Sequence, residues 1–132
     1  MTRKEKAMAL HKSGYNCAQS VIAACADLVG IDEELALNIS AGFGGGLRSG
    51  EVCGFISGAM MALSLSMPSA EADSENKDKV AAAAKEFCAA VKEKYGALRC
   101  DDLLANRDKK EFCNPAIGEI TEMVEQIILA NK

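Results

Sequence analysis

Aromatic residues are scarce in this chain of 132 residues, and its 19 acidic residues outnumber its 15 lysines and arginines. It has no tryptophan, two tyrosines and four phenylalanines, and its net charge is −4 at pH 7. A protein that binds nucleic acid needs a basic patch, commonly with aromatic side chains on which bases stack. We therefore expect no nucleic-acid partner.

Histidine is nearly absent, and the nucleotide-binding motifs are missing. His11 is the only histidine, and no partner motif supports it as the base of a serine or cysteine protease. The stretch "GFGGGLRSG" at residues 42–50 lacks the Lys-Ser/Thr ending of a P-loop, and no strand precedes it. Its glycines instead predict a tight chain reversal just before Cys53.

No segment has the character of a membrane span or a secretory signal. Residues 52–70 are uncharged, but they contain two glycines, several serines and Pro68, and a span needs roughly 20 mainly apolar residues. The N-terminal stretch "MTRKEKAMAL" has no long apolar region or cleavage signature. We expect a cytoplasmic protein without a membrane span.

Apolar residues recur at helical spacing along almost the whole chain, and no segment alternates as a strand would. Capping signals, glycines and prolines mark the helix ends. Pro115 has the features of a first helical residue. We predict one all-α domain over residues 1–132, a compact bundle of about five or six helices. The predicted helices cover about 2–12, 16–30, 32–40, 51–67 (stopped by Pro68), 74–95 and 115 onward, with a short helical turn at "RCDDLL" (99–104).

Six cysteines are present, and they fall into two groups. Disulfide frameworks belong mostly to oxidising compartments, whereas clustered cysteines in a reducing one more often bind metal or perform redox chemistry. Cys25 and Cys88 lie inside predicted helices among apolar residues, so we predict that they are buried packing residues. The other four lie at predicted helix starts or breaks: Cys17, Cys53, Cys100 and Cys113.

A helix N-terminus favours the thiolate, because its N–H groups are unpaired and the positive end of the dipole lies there. We therefore predict that Cys53 is a presented thiol with a lowered pKa, in a site shared with at least one of the other three. Gly54 and Gly58 share a helix face and leave room for another helix or a cluster, so we predict them as cofactor-binding positions. No C-x-x-C pair supplies a short metal or thioredoxin-like signature.

Four segments together resemble a known family. They are "GYNCAQSV" around Cys17, "GGGLRSGEVCGFISGAMMALSL" around Cys53, "RCDDLL" at Cys100 and "FCNPAIGEI" at Cys113. In this order they resemble the redox-active protein family written C_GCAxxG_C_C, over nearly the whole chain. The family motif has alanine where this chain has Phe55, whose ring is large enough to narrow access to Cys53 or to fill space that alanine leaves open.

The resemblance implies that these four cysteines are the family's characteristic thiols and that the function is redox chemistry with an electron-transfer partner protein. The first hypothesis is a thiol-based redox or electron-transfer protein, which includes a thiol-dependent oxidoreductase. The alternative is a metal or iron–sulfur cluster module, in which Cys17, Cys53, Cys100 and Cys113 hold zinc or a cluster. A third hypothesis is a helical interaction protein whose cysteines only pack.

Overall fold

The chain is mainly helical over the residues that the computed structural model describes, 1–67, 70 and 72–131. The prediction of an all-α fold is confirmed, but these residues form eight α-helices and not five or six. No strand is present among them, and no helix there is both long enough and apolar enough to cross a bilayer. The helices are α1 (Arg3–Lys12), α2 (Cys17–Ala24), α3 (Ala26–Val29), α4 (Glu33–Ser40), α5 (Gly54–Leu65), α6 (Ser74–Tyr95), α7 (Cys100–Leu104) and α8 (Lys109–Ala130).

Several predicted boundaries are confirmed because their signals are local. Thr2 and Glu5 form the capping box of α1, with each side chain accepting from the other residue's backbone N–H. Gly30 ends α3 in the left-handed conformation, and α6 covers the predicted range 74–95. A capping side chain or a left-handed glycine satisfies backbone groups within a few residues, so such signals can be recognised from the sequence without the tertiary structure.

The extra helix arises from a break at Cys25, where one helix over 16–30 is predicted. The Cys25 N–H is shared between the carbonyls of Val21 and Ile22, at 3.2 and 3.1 Å. Such a shared bond tightens the chain toward a 3₁₀ turn. The chain therefore leaves α2 at this point and continues as the short α3.

The predicted start of the last helix at Pro115 is wrong. Helix α8 begins at Lys109, because Asp108 caps it by accepting a hydrogen bond from the Lys110 N–H at 2.9 Å. Pro115 lies inside the helix, where it cannot donate to the carbonyl of Glu111 four residues earlier. Cys113 is consequently the fifth residue of α8 and does not precede it.

Helix α5 begins at Gly54, three residues later than predicted, because residues 51–53 pair with another segment. It ends at Leu65, and Pro68, the predicted stop, lies outside the described residues.

The core forms around α2, which packs against α1, α4, α5 and α8. Its buried residues are small or branched and fully enclosed: Ala18, Ser20, Val21, Ile22, Ala23 and Ala24. Burial of such side chains is worth about 25 cal/mol per Å² of apolar surface removed from water. The apolar stripe of α8 faces this core, with Ile127 only partly buried; its buried members are Ile117, Ile120, Val124 and Ile128.

Candidate thiol site

Cys17 is the first residue of α2, and its position is fixed by the preceding cap. The Asn16 side chain accepts from the Gln19 N–H at 2.9 Å, and the Gln19 side chain accepts from the Asn16 N–H at 3.1 Å. The amide of Asn16 also donates to the Ala41 carbonyl at 2.9 Å. These bonds tie the start of α2 to the glycine-rich loop, and they leave the Cys17 thiol half-buried at the helix N-terminus.

Cys53 immediately precedes α5 and is held by a short two-stranded contact. Its N–H donates to the Leu98 carbonyl at 2.9 Å, and the Cys100 N–H donates to the Glu51 carbonyl at 2.6 Å. The residues between them, Val52 and Arg99, face each other as a single antiparallel bridge. We call the segments 51–53 and 98–100 the ribbon. It brings Cys53 and Cys100 together although 46 positions separate them in the sequence.

Gly54 and Gly58 let α2 approach α5 closely. A Cβ on Gly54 would overlap the Cys17 sulfur and lie 2.9 Å from the Phe43 carbonyl oxygen. A Cβ on Gly58 would lie 2.6 Å from the Ala18 carbonyl oxygen. The predicted close approach of a neighbouring helix is thus confirmed, and Cys17 takes the space beside Gly54. A cofactor-binding role for the two glycines stays a prediction.

The thiols of Cys17 and Cys53 are hydrogen-bonded to each other, and their pKa values move in opposite directions. The pKa of Cys17 is lowered to about 6, first because the Cys53 thiol donates to its sulfur, and further by the N–H groups of Gly45 and Ala18; burial opposes these effects. The same hydrogen bond raises the pKa of Cys53, and burial adds to the rise. Cys17 is therefore the thiolate of the pair and Cys53 the thiol that stabilises it.

This assignment corrects the prediction for Cys53. Its thiol is buried, with 5% of the residue exposed, and its pKa is raised, not lowered. The helix-terminus argument applies to Cys17, because there more backbone N–H groups converge on the sulfur. Sequence reasoning placed both cysteines at helix starts, but it had no means of telling which sulfur the surrounding N–H groups would reach.

The Gly45 N–H belongs to a left-handed turn that the sequence only partly predicts. Gly45, Gly46, Leu47 and Arg48 have φ values of 62°, 65°, 61° and 57°. Non-glycine residues in this region cost on the order of 1–2 kcal/mol each. The same turn carries Gly45, whose N–H reaches the Cys17 sulfur. The glycines indicated a reversal, but Leu47 and Arg48 gave no sign of positive φ.

Cys100 and Cys113 complete the group of four. Cys100, at the start of α7, is half-buried, and the ribbon places it beside Cys53. Cys113 is half-buried within α8 and lies in electrostatic range of Cys17 and Cys100. Burial raises the pKa of both, and the negative charge of Cys17 adds to this, whereas Lys109 opposes it. The structure thus brings all four thiols into one neighbourhood and adds Lys109, which the sequence analysis missed.

The two remaining cysteines differ from each other. Cys25 is fully buried, as predicted, and burial raises its pKa to about 12. Cys88 is only partly buried, so the prediction of a buried residue is wrong there. It lines an apolar groove of about 640 Å³, together with residues such as Ile39, Met60 and Met61. Neither cysteine lies with the four thiols of the site.

Phe55 departs from the family's alanine, and its ring fills space between helices. The ring is fully buried and packs against Tyr95 and Phe112, with centroids 6.0 and 6.3 Å away. Its backbone N–H donates to the Cys53 sulfur. Phe55 therefore joins α5 to α6 and α8 while its main chain remains part of the thiol site.

Within residues 1–67, 70 and 72–131, no three His, Cys, Asp or Glu side chains are arranged to hold one ion. In the same region all six cysteines are free thiols. Cys53 lies next to both Cys17 and Cys100 in this group of thiols.

The chain matches one known family. The family described as "Putative redox-active protein (C_GCAxxG_C_C)" matches residues 15–127, which include all four thiols of the site. No curated protein and no solved structure was found to match this chain.

Proposed function

Because the chain belongs to the C_GCAxxG_C_C family of redox-active proteins, we propose that it is a dithiol–disulfide oxidoreductase in which Cys17 attacks and Cys53 resolves. The supporting observation is the asymmetry of this pair. Cys17 is partly exposed with a pKa of about 6, and Cys53 is buried with a raised pKa. At pH 7 a group with that pKa is roughly tenfold more thiolate than thiol.

The proposed reaction has two steps. The Cys17 thiolate attacks one sulfur of a substrate disulfide, forms a mixed disulfide and expels the other substrate sulfur as a thiolate. The Cys53 thiol then loses its proton to solvent and attacks the Cys17 sulfur, which releases the second substrate sulfur. The substrate gains two electrons and becomes a dithiol, while the protein loses two and retains a Cys17–Cys53 disulfide. An electron-transfer partner would reduce that disulfide again.

Each member of the pair suits its step. A thiolate formed near neutral pH attacks efficiently, because it is abundant without losing all of its nucleophilicity. Cys53 forms its hydrogen bond with Cys17 from the buried side, so external disulfides reach it less readily than they reach Cys17. Its ionisation becomes easier once Cys17 is in a mixed disulfide, because the neighbouring negative charge is then gone.

A single-turnover assay tests this proposal. Reduced protein is mixed with one equivalent of 2,2′-dipyridyl disulfide, and the release of thiopyridone is followed by absorbance. The unmodified protein should release two thiopyridones per probe molecule. Cys17→Ser should lose the fast phase, Cys53→Ser should keep the first release and lose the second, and Cys88→Ser is the matched control. Equal kinetics in Cys17→Ser and the unmodified protein would refute the proposal.

A metal or iron–sulfur cluster module is the second candidate. It is favoured by the electrostatic coupling of Cys17 to both Cys100 and Cys113, which puts four sulfurs in one neighbourhood. The described residues do not present three donors around one point. Metal analysis and the colour of anaerobically purified protein separate the two: a cluster gives a brown sample, zinc a colourless one with bound metal, and the dithiol form neither colour nor metal.

A further inference from the structure

The ribbon gives Cys53 a second thiol neighbour. The two backbone hydrogen bonds, from Cys53 to Leu98 and from Cys100 to Glu51, enclose the facing pair Val52 and Arg99. In an antiparallel ladder, side chains on either side of such a pair point to the same face. Cys53 and Cys100 are diagonal neighbours on that face, and each thiol affects the pKa of the other.

The position of Cys100 is also fixed from the other side. A Cβ on Gly50 would overlap the carboxylate of Asp101, so the first turn of α7 lies directly against the end of the left-handed turn. Arg99 forms an ion pair with Glu51, with 3.4 Å between its Nε and the carboxylate oxygen. The ribbon and this contact hold Cys100 beside Cys53 independently of Cys17, which approaches from α2.

We propose that Cys100 is the third thiol of a relay: it attacks the Cys53 sulfur of the Cys17–Cys53 disulfide, moves the disulfide to Cys53–Cys100 and frees Cys17. This inference rests on the proposed function, since it begins from the disulfide which that reaction leaves. The Cys17–Cys53 bond breaks and the Cys53–Cys100 bond forms. The Cys100 proton passes to solvent, Cys17 leaves as a thiolate, and the protein neither gains nor loses electrons.

The direction of the relay follows from the surroundings of Cys17. When Cys17 leaves, its sulfur becomes a thiolate that accepts hydrogen bonds from the Gly45 and Ala18 N–H groups. A thiolate stabilised in this way is a good leaving group, and its stability favours the rearranged disulfide. No comparable set of donors surrounds the Cys53 sulfur, whose pKa is raised. The oxidised protein should therefore keep Cys17 free for a second attack.

Disulfide mapping over time tests the relay in the full chain. Reduced protein is treated with one equivalent of 2,2′-dipyridyl disulfide, quenched with acid at successive times, alkylated and analysed by mass spectrometry. We expect a Cys17–Cys53 disulfide first and a Cys53–Cys100 disulfide later, with Cys17 recovered as a free thiol. In Cys100→Ser, Cys17 should stay in its disulfide and that recovery should be lost. Cys113→Ser is the matched control, because it removes one thiol of the same neighbourhood and leaves the three relay thiols in place.

The outcomes separate the relay from the proposed function. A Cys17–Cys53 disulfide that persists in the unmodified protein overturns the relay and leaves the proposed function standing. A Cys53–Cys100 disulfide that forms equally fast in Cys17→Ser overturns both. If Cys100→Ser does not fold, as judged by circular dichroism, Cys100→Ala replaces it, and the time course of the unmodified protein decides the order of the two disulfides without any variant.

Discussion

The hydrogen bond between Cys53 and Cys17 leads to a sharp prediction for the pair Cys53→Ala and Cys53→Ser. Cys53 is the largest cause of the lowered Cys17 pKa, which falls from the ordinary 9.0 to about 6. Alanine removes the donor, whereas serine keeps an O–H that donates more strongly than S–H. The pKa of Cys17 should therefore rise in Cys53→Ala and stay near 6 or below in Cys53→Ser.

The size of the effect follows from the strength of such a bond. A hydrogen bond to a charged group contributes about 1.5–3 kcal/mol, and a thiol donor lies at the weak end, so its loss raises the pKa by about one to two pH units. At pH 6 the thiolate fraction of Cys17 should then fall from about one half to about one tenth or less. The alkylation rate of Cys17 at pH 6 should fall at least about fivefold.

Alkylation of metal-free, reduced protein between pH 4 and 10 measures this directly, with each cysteine followed by mass spectrometry. The unmodified protein should show a midpoint near 6 at Cys17, and Cys88→Ala, which removes a thiol from the distant groove, should show the same. An unchanged midpoint in Cys53→Ala would refute the role of the hydrogen bond. Labelling of Cys53 before Cys17 in the unmodified protein would show that the thiolate is assigned to the wrong sulfur.

Three further predictions concern stability. Gly54→Ala and Gly58→Ala should each cost about 1–3 kcal/mol in the free energy of unfolding, but only Gly54→Ala should displace the Cys17 sulfur and raise its pKa; equal alkylation profiles would contradict this. Gly30→Ala should lower the free energy of unfolding by about 1 kcal/mol, because of the positive φ alone. A Cβ at Gly46 would also overlap the Glu51 backbone, so Gly46→Ala should lower it by about 2 kcal/mol more, as measured by urea unfolding. The folded pKa of Cys17 is depressed, so its ionisation stabilises the folded protein fully above pH 9, and this stabilisation is lost as the pH falls from 9 toward 6. Between these pH values the free energy of unfolding should rise with pH by up to about 1.4 kcal/mol per pH unit more than it does in Cys17→Ser. Parallel curves for the two proteins would exclude the depressed pKa.

Much of the helical framework could be predicted because its signals are local. The capping box at Thr2 and the left-handed end at Gly30 each satisfy backbone groups within a few residues. One failure came where two local signals competed. Pro115 suggested a helix start, but Asp108, whose carboxylate accepts from the Lys110 N–H, caps a helix that begins six residues earlier, at Lys109.

The membership of the site was also accessible from the sequence, but its internal roles were not. The order and spacing of four cysteines set them apart from Cys25, whose apolar surroundings predicted burial. The sequence pattern did not indicate the ribbon, because a single bridge is too short to give an alternating sequence. Nothing local indicated that Cys53 would contact both Cys17 and Cys100.

The sequence by itself determined an all-α chain, the ends of most helices and the four cysteines of interest, since periodicity, caps and residue chemistry all act over a few residues. Only the tertiary structure decided which sulfur becomes the thiolate. The pKa of a thiol depends on its burial and on the N–H and S–H groups that reach it. At Cys17 the N–H of Gly45 comes from a distant loop, and the S–H of Cys53 comes from the residue just before another helix. These groups converge only through tertiary packing, so the amino-acid sequence alone could not predict their positions.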